Sequence, residues 1–586
     1  MGRLLNVSRN FLNQTRNPPT TMADKNTDRM EKIVSLCKRR GFIFQAGEIY
    51  GGLNGCWDYG PLGVELKRNL KEYWWRRNVQ MRDDIEGLDG SILTHQAVLT
   101  ASGHVGGFSD PLCICLLTGE RLRADQVPAQ SGFVFEFTGA VSSAGLAEIE
   151  KASAKVPEEA IKAFAAGLAS GRGEEEILAG LEGAGALVEH LQTAKRAALG
   201  FRVLVAANEP GKALKVARQF YERRGVKAPW PVGAGLVGEV TDSREFNPSN
   251  GGQLSPPRQF NLMFQTTMGA SAEENDPNAV AYLRPETAQS IFVQFKNVLD
   301  TSRQKLPFGI AQIGKAFRNE INPRNFTFRS REFEQMEIEY FCRPEDGLRL
   351  TDEWLEERLC FYEAIGIPRT KLHILDVPDG ERAFYSSKTY DIEYEFPFGV
   401  QELEGIAYRT DYDLGVHQKG SGKPLEYFDE ENRERFLAHV VEPSAGCDRT
   451  VLAVICEAYD EEVVPDEKGK EETRVVMRFH PRMAPVKAAV FPLLKKNEDQ
   501  VRISKEIVAT LRPFLNVFYD ESGAVGRRYR RQDEAGTPFC ITVDFDTLGE
   551  NGPDLKDTVT VRDRDSMKQE RLPVKDLLAW LLERVR

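Results

Sequence analysis

The apolar residues of segments 28–39 and 61–75 recur every three or four positions, which is the spacing of an amphipathic helix. They are Ile33, Leu36 and Cys37 in the first segment, and Leu62, Leu66, Leu70 and Trp74 in the second. Pro61 suits the first turn of the second helix, where no N–H group is needed. We therefore expect two helices near the start of the chain.

Residues 314–341 show the alternation of strands instead. The segment GKAFRNEINPRNFTFRSREFEQMEIEYF predicts two strands joined by a loop that contains Pro323. Because side chains alternate between the faces of a strand, the second strand has one apolar and one polar face. The apolar face is formed by Met336, Ile338 and Tyr340, and the polar face by Phe333, Gln335 and Glu337.

The polar face of this hairpin is the first candidate for chemistry. Arg318, Arg329 and Arg331 stand close in sequence to an aromatic ring and to carboxylates, and we expect Arg318 and Glu320 to share one face of the first strand. Arginine binds phosphate through two hydrogen bonds at once, and an aromatic ring can stack on a base. A solvated hairpin with charge pairs across its strands has the same spacing, so spacing alone leaves both interpretations open.

Changes in amino-acid composition along the chain also predict domains. Residues 139–200 are rich in Ala, Gly and Glu, and we expect an inserted subdomain over 111–255 that divides one larger domain into segments 29–110 and 256–480. From 481 to 586 strands alternate with helices, which predicts a separate α/β unit with a parallel or mixed sheet. We expect the acidic segment 460–474 to be a solvated loop.

Composition narrows the class of protein. A net charge of -11 argues against a protein that coats nucleic acid non-specifically, although a local basic surface can still bind RNA. The 9 cysteines are scattered without a CxxC pair, which favours a reducing compartment, and we expect the cytoplasm. No run of about eighteen apolar residues occurs, so we do not expect a membrane protein.

The first residues differ from the rest. Segment 1–23 contains Arg3, Arg9 and Arg16 and no acidic residue. Such a composition is typical of organelle-targeting segments. A disordered tail over 1–28, or a start assigned too early with Met22 as the alternative, explains it as well, and we favour these two interpretations.

Several motifs, in order along the chain, resemble those of class II aminoacyl-tRNA synthetases. FRNE (317–320) followed by RSREF (329–333) resembles motif 2, LRPETAQ (283–289) the loop that contacts the amino acid, and VEPSAGCDR (441–449) motif 3. Three further segments are similar to glycyl-tRNA synthetases in particular: SGHVGGFSDP (102–111), RTDYDL (409–414) and GRRYRRQDEAGTPFCITVDFDT (526–547). The resemblance covers nearly the whole chain except the tail and the insertion.

This resemblance implies a fold and an activity. The expected α/β architecture is a class II catalytic domain on an antiparallel sheet, with the inserted subdomain and a C-terminal α/β anticodon-binding domain. The expected reaction activates glycine with ATP and magnesium to glycyl-adenylate and pyrophosphate, and then transfers glycine to the 3′ end of tRNA(Gly). The expected assembly is a homodimer.

The resemblance also implies an ATP site with Arg318 and Arg449 as the catalytic residues. Arg318 would hold the α-phosphate and the glycine carboxylate, Phe333 would stack on adenine, and Arg449 would cap its other face or hold the γ-phosphate. Glu402 would lie near ATP and its magnesium. The full set is Arg318, Asn319, Glu320, Phe328, Arg329, Ser330, Arg331, Glu332, Phe333, Glu402, Leu403, Gly446, Cys447, Asp448 and Arg449.

The implied glycine pocket is centred on Glu286, Glu337, Glu442 and Ser444. Glu442 and Ser444 are two residues apart on an expected strand, so they share a face. The glycine ammonium needs carboxylates, and a rigid pocket must exclude larger side chains, since overpacking costs about 1–3 kcal/mol. The full set is Arg123, Glu286, Phe333, Glu334, Gln335, Met336, Glu337, Glu442, Pro443, Ser444, Ala445 and Gly446.

The chain departs from this family at a metal site. Some relatives carry two CxxC-like pairs that flank the insertion. Here Asn247 and Asn250 stand in the second pair, and Thr118 stands where the partner of Cys115 would be. Zinc needs about four ligands, so we predict no structural zinc and expect Cys113 and Cys115 to be small core residues.

The sequence does not decide the role of several other residues. His95 follows Thr94 in motif 1, where the family often has proline, and Asp448 stands where many relatives have glycine. We expect a structural hydrogen bond for His104, and His417 is equally compatible with a place at the active site and a structural one. The arginines at 527, 528, 530 and 531 are either solvated or in contact with the tRNA backbone.

Two competing functions remain. A synthetase-like protein without activation chemistry would serve as a nucleic-acid-binding subunit, but Arg318, Glu320 and Arg449 are all present. A class II synthetase for serine or threonine would lack the EPS (442–444) and RTDYDL segments. We therefore favour the glycine enzyme.

Overall fold

The structure is a computed structural model, and it describes residues 22–142, 172–181, 196–269, 279–465 and 471–585, with a few positions between 160 and 170. Residues 1–21, where we expect a tail, lie outside this description. The chain divides into two compact units: Met1–Gly106 with Met263–Arg586, and Gly107–Leu262. The predicted insertion, 111–255, falls inside the second unit.

The first part of the chain contains both helices predicted from apolar spacing. Ile33, Cys37, Leu66 and Trp74 are buried on their inner faces. The elements are α1 (Met22–Arg40), β1 (Ile43–Gln45), β2 (Trp57–Tyr59), α2 (Pro61–Trp75), β3 (Ile85–Gly87), β4 (Leu93–His95), α3 (Gln96–Ala101) and α4 (His104–Gly107).

The described residues of the second unit form three small sheets. Their strand orders are β13 (Arg258–Asn261), β5 (Ser109–Ile114) and β6 (Arg121–Arg123); β10 (Phe201–Val205), β7 (Gln130–Phe137) and β12 (Gly235–Ser243); and β11 (Trp230–Val232), β8 (Gly139–Val141) and β9 (Arg196–Ala197). The rings of Phe201 and Phe220 stack in its core with centroids 3.9 Å apart. Its elements are β5 (Ser109–Ile114), β6 (Arg121–Arg123), β7 (Gln130–Phe137), β8 (Gly139–Val141), α5 (Glu174–Ala179), β9 (Arg196–Ala197), β10 (Phe201–Val205), α6 (Pro210–Glu222), β11 (Trp230–Val232), β12 (Gly235–Ser243) and β13 (Arg258–Asn261).

Residues 263–480 form the sheet that carries the candidate site. Their elements are β14 (Phe264–Thr267), β15 (Val280–Leu283), α7 (Ala288–Ser302), β16 (Phe308–Phe317), β17 (Glu332–Cys342), α8 (Gly347–Ala364), β18 (Leu372–Asp376), β19 (Lys388–Phe396), β20 (Gly399–Thr410), α9 (Tyr412–Ser421), β21 (Tyr427–Asp429), β22 (Glu434–Phe436), β23 (His439–Gly446), α10 (Cys447–Ala458), β24 (Tyr459–Pro465) and β25 (Glu471–Met477). Seven strands join in the order β18-β19-β20-β23-β17-β16-β3, antiparallel except for the parallel pair β3 and β16.

The two faces of this sheet are covered differently. On one face Met336, Ile338 and Tyr340 pack with α2, α8 and α10 into a large core, as the alternation predicted. On the other face Phe308 and Phe341 pack against the helix α7. Phe333, Gln335 and Glu337 lie on the same face of β17 as Phe341 but are not part of that apolar cluster. The uncovered part of this face holds the candidate site.

The C-terminal part has the predicted α/β pattern. Its elements are β26 (Ala488–Pro492), α11 (Glu498–Leu511), β27 (Val517–Tyr519), α12 (Val525–Ala535), β28 (Phe539–Val543), β29 (Thr558–Asp563), β30 (Gln569–Pro573) and α13 (Leu577–Val585). The sheet order is β27-β26-β28-β29-β30, with β26 parallel to both neighbours and the last pairs antiparallel.

Three local expectations were wrong. The acidic segment 460–474 is largely the antiparallel pair β24 and β25 rather than a loop. The strand β16 ends at Phe317, so Arg318 and Glu320 lie in the loop after it. Arg528 is 1% exposed and donates to the carbonyls of Pro492 and Gly523, so it holds α12 in place and does not meet solvent.

No helix among the described ranges is long and apolar enough to cross a membrane.

Candidate active site

A cavity of about 370 Å³ opens on the uncovered face of the seven-stranded sheet. Its floor follows the register of neighbouring strands. Glu337 lies opposite Ser444, Ser444 opposite Gly405, and Gly405 opposite Asp391. Segment 327–330 and segment 381–385 contribute further wall residues. The site is therefore assembled from strands that are far apart in sequence.

One end of the cavity is formed by arginines and aromatic rings. The guanidinium of Arg449 lies 4.6 Å from the ring centroid of Phe328 and 3.3 Å from the carboxylate of Glu402. Arg318 donates to the carbonyl of Pro285 at 3.1 Å and lies 5.5 Å from the ring centroid of Phe333. Guanidinium groups held over rings at a cavity wall suit a planar base and phosphate oxygens.

The other end is acidic and centred on Glu337. Its carboxylate accepts hydrogen bonds from Thr287, from the Ser444 hydroxyl at 2.6 Å and from the Gln335 amide at 3.1 Å. Burial raises the pKa of Glu337, the Glu286 charge raises it further, and the hydroxyls of Ser444 and Thr287 oppose the shift. The side chain is thus rigidly held and electrostatically suited to a cation.

Arg409 connects two of the acidic side chains beneath the cavity floor. The sequence analysis did not predict it as a site residue. Its guanidinium donates to Asp413 at 2.7 and 2.8 Å and to both oxygens of Glu442 at 2.9 Å. It also lies 3.9 Å from the ring centroid of Tyr385 in the cavity wall. The signal was available, because Arg409 and Asp413 are the ends of RTDYD within the family-like segment 409–414.

Glu442 carries an unusual charge balance. Burial raises its pKa, Arg409 opposes that shift, and the charges of Glu337 and Glu286 reinforce it, so that the pKa reaches about 8. At neutral pH this carboxyl therefore holds a proton most of the time. A ligand cation would favour its ionised form.

Glu286 forms the third acidic wall. His104 lies 3.4 Å from its carboxylate, and Gln289 donates to it at 2.8 Å. Burial alone would raise the pKa of Glu286, but the charges of His104 and Arg409 hold it far below its usual value. The predicted structural bond of His104 is present as well, since its ring also meets the Ser102 hydroxyl at 2.8 Å.

His417 lies behind this wall and not in it. The ring is 4% exposed and meets the Gln289 side chain at 2.8 Å. Burial lowers the pKa of His417, so the ring is neutral at physiological pH. It therefore positions Gln289, which in turn holds Glu286.

Glu339 is buried next to the cavity floor. The pairs Glu337–Ser444 and Tyr340–Val441 bracket it, which sets it across from Glu442. Both of its carboxyl oxygens lack a hydrogen-bond partner within the described part of the chain. Burial raises the pKa of Glu339 well above its usual value, and the Glu442 charge adds to the effect.

The structure brings most of the predicted residues into the cavity wall. They are Glu286, Arg318, Glu320, Phe328, Arg329, Ser330, Phe333, Glu334, Gln335, Glu337, Glu402, Glu442, Ser444, Gly446, Asp448 and Arg449. Wall residues that we had not predicted include Arg382, Tyr385, Thr389, Asp391, Gly405 and Ala407.

The remaining predicted residues are not part of this wall. Met336, Leu403 and Ala445 are in the core on the opposite side of the sheet, because alternation turns them away from the cavity. Cys447, the first residue of α10, is in the same core. Arg331 donates to the carbonyls of Asn54 and Glu320, and Glu332 pairs with Lys315 at 2.8 Å. Asn319 and Pro443 are absent from the wall too.

Asp448 lines the cavity wall, but its carboxylate is already hydrogen-bonded to other groups of the protein. It accepts hydrogen bonds of 2.6 Å each from Tyr59, Lys67 and the Glu334 backbone N–H. Lys67 also pairs with Glu334 at 2.7 Å. Burial would raise the pKa of Asp448, but the Lys67 charge and these hydrogen bonds lower it. The aspartate therefore anchors α2 to the start of α10.

The second unit contains the other predicted positions. Arg123 pairs there with Asp110 at 3.0 Å and with Asp125 at 2.7 Å. Cys113 and Cys115 are in the core of this unit. Asn250 accepts a hydrogen bond from the Gly252 N–H at 2.8 Å, and Cys115 lies 3.7 Å from the same oxygen.

Two carboxylates could help to hold a divalent cation at the arginine end. Asp391 and Glu402 both line the wall, and Arg449 lowers the pKa of Glu402. Burial raises the pKa of Asp391 to about 7, and the charge of Glu402 adds to that shift. Magnesium binds through one or two carboxylates together with substrate phosphates, so this pair fits such an ion. Within the described ranges no group of three or more potential metal ligands occurs.

Two family models match the chain. The tRNA synthetase class II core domain (G, H, P, S and T) matches residues 271–459, which contain the strands that form the cavity floor. The anticodon binding domain matches residues 487–584.

Relatives of known name are similar over nearly their whole length. The glycine–tRNA ligases of Deinococcus radiodurans, Thermus thermophilus and Rhodopirellula baltica are 44%, 43% and 42% identical to this chain. Each match covers 95% of this chain and 99% of the relative. The similarity therefore extends over the inserted unit as well as the sheet with the cavity.

Proposed function

This chain belongs to the glycine–tRNA ligase family of class II synthetases, and on that premise we propose that the cavity described above binds glycine and ATP side by side. The enzyme activates glycine with ATP to glycyl-adenylate and pyrophosphate, and then transfers glycine to tRNA. One observation carries the assignment of the site: the same cavity is lined by the carboxylates of Glu286, Glu337 and Glu442 and by the guanidinium groups of Arg318, Arg329 and Arg449. Glycine and ATP need these two charges in this arrangement.

The glycine ammonium binds at the acidic end. Glu286, Glu337 and Glu442 surround it, and the Ser444 hydroxyl holds Glu337 in place at 2.6 Å. Binding of the ammonium favours the ionised form of Glu442 and so compensates the desolvation of both charges. Behind Glu442 the guanidinium of Arg409 packs on the ring of Tyr385, 3.9 Å from its centroid, which fills that side of the wall. Side chains larger than a hydrogen are excluded by overlap.

The glycine carboxylate points toward Arg318 and is itself the nucleophile of the first step. It attacks the α-phosphorus of ATP, a bond forms between the carboxylate oxygen and phosphorus, and the bond to pyrophosphate breaks. No general base is needed, since the carboxylate is already ionised. The contribution of the protein is to position both reactants and to neutralise negative charge with Arg318 and Arg449.

ATP occupies the arginine end. The adenine base lies between Phe333 and the guanidinium of Arg449, and the phosphates extend toward Arg318 and Arg329. Glu402 and Asp391 would hold a magnesium ion, which would supply positive charge against the ATP phosphates.

The second substrate is tRNA(Gly), whose terminal ribose hydroxyl receives the glycyl group while AMP leaves. Residues 487–584 match an anticodon binding domain, which supports contact with the anticodon by this part of the chain. The exposed residues Ile49, Tyr50 and Leu53 support a homodimer through that surface. We place the enzyme in the cytoplasm, where protein synthesis consumes its product.

Amino-acid-dependent ATP–pyrophosphate exchange tests the site without tRNA. We expect exchange with glycine and none with alanine or serine. Arg318→Ala should lower the rate by about 100-fold or more. Arg502→Ala, an exposed position in the C-terminal domain, is the matched control and should leave the rate unchanged. Equal exchange with alanine, or an unaffected Arg318→Ala enzyme, would contradict the assignment.

A further inference from the structure

Phe384 is an exposed aromatic side chain at the rim of the cavity. Its neighbours Ala383 and Tyr385 both line the cavity, whereas Phe384 itself is 76% exposed. A phenylalanine with this exposure gains little from folding, because nearly all of its apolar surface remains in water. Because Phe384 lies at the entrance to the cavity, a ligand that passes through that entrance could cover its ring.

Two further rings support Phe384. Its centroid is 5.2 Å from that of Tyr385 and 5.3 Å from that of Tyr412, with interplanar angles of 79° and 76°. Edge-to-face contacts of this kind fix the orientation of a ring. The exposed ring is therefore held as a platform, and the base of that platform is Tyr385, which touches Arg409 at the acidic end.

A cationic side chain extends this surface along α9. Tyr412 is the first residue of that helix, and Lys419 is seven residues later, which returns to the same side of the helix about 10 Å further along its axis. Lys419 is exposed. An aromatic platform followed by a cation is the combination that binds single-stranded nucleic acid: the ring stacks on a base and the cation meets the backbone.

We propose that Phe384 stacks on the terminal base of the tRNA 3′ end and that Lys419 contacts a backbone phosphate of the adjoining single-stranded nucleotides. The inference rests on the proposed function, because the terminal ribose must reach glycyl-adenylate inside the cavity. The base on that ribose then stays at the entrance, where Phe384 stands. Stacking requires only a flat ring, so the contact positions the end of the tRNA without reading its sequence.

The test compares glycylation of tRNA(Gly) with glycine-dependent pyrophosphate exchange in Phe384→Ala, Phe384→Tyr and Phe428→Ala enzymes. Phe428 is 40% exposed and lies outside the cavity wall, so it is the matched control. Loss of base stacking should lower kcat/KM for tRNA by roughly 5- to 150-fold in Phe384→Ala, more than it lowers exchange. Phe384→Tyr should restore glycylation, and Phe428→Ala should behave as the natural enzyme.

A spectroscopic readout separates stacking from general damage. A tRNA(Gly) transcript with 2-aminopurine as its terminal base should lose fluorescence on binding to the natural enzyme, because stacking quenches this base. Phe384→Ala should abolish the quenching and Phe384→Tyr should keep it. Quenching that survives in Phe384→Ala, or exchange that falls as far as glycylation, would overturn the proposal. Absence of glycine-dependent exchange in the natural enzyme would instead refute the proposed function.

Lys419→Gln tests the phosphate contact. Removal of one contact to single-stranded nucleic acid should reduce the slope of log KM for tRNA against log salt by about 0.7. The exposed Lys423 lies just beyond the end of α9, and its glutamine variant controls for the loss of any lysine in this region. A salt slope that Lys419→Gln leaves unchanged would remove this residue from the binding path.

Discussion

Replacement of Glu442 by glutamine separates the two ends of the cavity. The amide has nearly the shape of the carboxylate, so it fills the same space and can still accept a hydrogen bond from Arg409. Arg409 keeps its two-fold pairing with Asp413 at 2.7 and 2.8 Å, which protects the fold from an unpaired buried cation. What the substitution removes is one negative charge facing the glycine ammonium.

The size of the effect follows from the charged hydrogen bond that the ammonium no longer makes. A hydrogen bond to a charged group contributes about 1.5–3 kcal/mol, which corresponds to a change of roughly 10- to 150-fold in binding. Glu286 and Glu337 remain on the other sides of the ammonium, so we expect the lower half of that range. KM for glycine should therefore rise by roughly 10- to 40-fold, whereas KM for ATP should change little.

Pyrophosphate exchange at varied glycine and varied ATP measures both constants. The matched variant is Glu402→Gln, which removes one charge at the arginine end, where Arg449 lies 3.3 Å away. It should raise KM for ATP and leave KM for glycine nearly unchanged. Thermal unfolding of each variant checks that the sheet is intact. An equal rise in both constants for Glu442→Gln, or a rise in KM for ATP alone, would refute the division of the cavity into two ends.

Further predictions concern pH, the anchor of α10 and the metal question. The pKa of Glu442 is raised to about 8, and the glycine ammonium needs the ionised carboxylate. The ionised fraction therefore grows as the pH rises, and KM for glycine should fall by roughly eightfold between pH 7 and pH 8.5. This pH dependence should vanish in Glu442→Gln. Asp448→Asn removes one of the two carboxylates that pair with the buried Lys67, while Glu334 stays, and it should destabilise the protein by about 1.5–3 kcal/mol. The effect should appear as a lower melting temperature, and Tyr59→Phe should cost about 1 kcal/mol. Treatment with a chelator should leave the melting temperature unchanged, and a fall of several degrees would reveal a structural metal in spite of Asn247 and Asn250.

Periodicity along a strand was readable in the sequence because it is local. The alternation in residues 332–342 predicted a core face with Met336 and Ile338 and a polar face with Glu337, and the structure has both. The same rule would have excluded Met336 from the glycine site. The resemblance implies all of residues 333–337 for the glycine site, including Met336. Every second side chain of a strand, however, points away from any one site.

The pairing of Arg409 with Glu442 could not be predicted from the sequence, because it depends on contacts between distant parts of the chain. Glu442 is 33 residues away and meets it only because β20 pairs with β23 in one register. The wall residue Asp391 likewise becomes a neighbour of Gly405 through the pairing of β19 with β20. A single sequence fixes the faces of each strand but not which strands adjoin, and a shift of one residue would turn these side chains to the other side.

The order of charges along one strand explains how the cavity orients its amino acid. Glu442 and Gly446 are four residues apart on β23, a distance of about 13 Å, and Arg449 follows in the first turn of α10. An amino acid bound with its ammonium at Glu442 directs its carboxylate toward the arginines and the α-phosphate. In the reversed orientation the carboxylate would face Glu337 and Glu442 while the ammonium faced Arg318, and both ends would be repelled. Since these groups are largely removed from water, the difference is several kcal/mol at an effective dielectric constant of about 20. In the proposed site the same arrangement of carboxylates and arginines would therefore bind the two substrates, separate them and set the direction of attack.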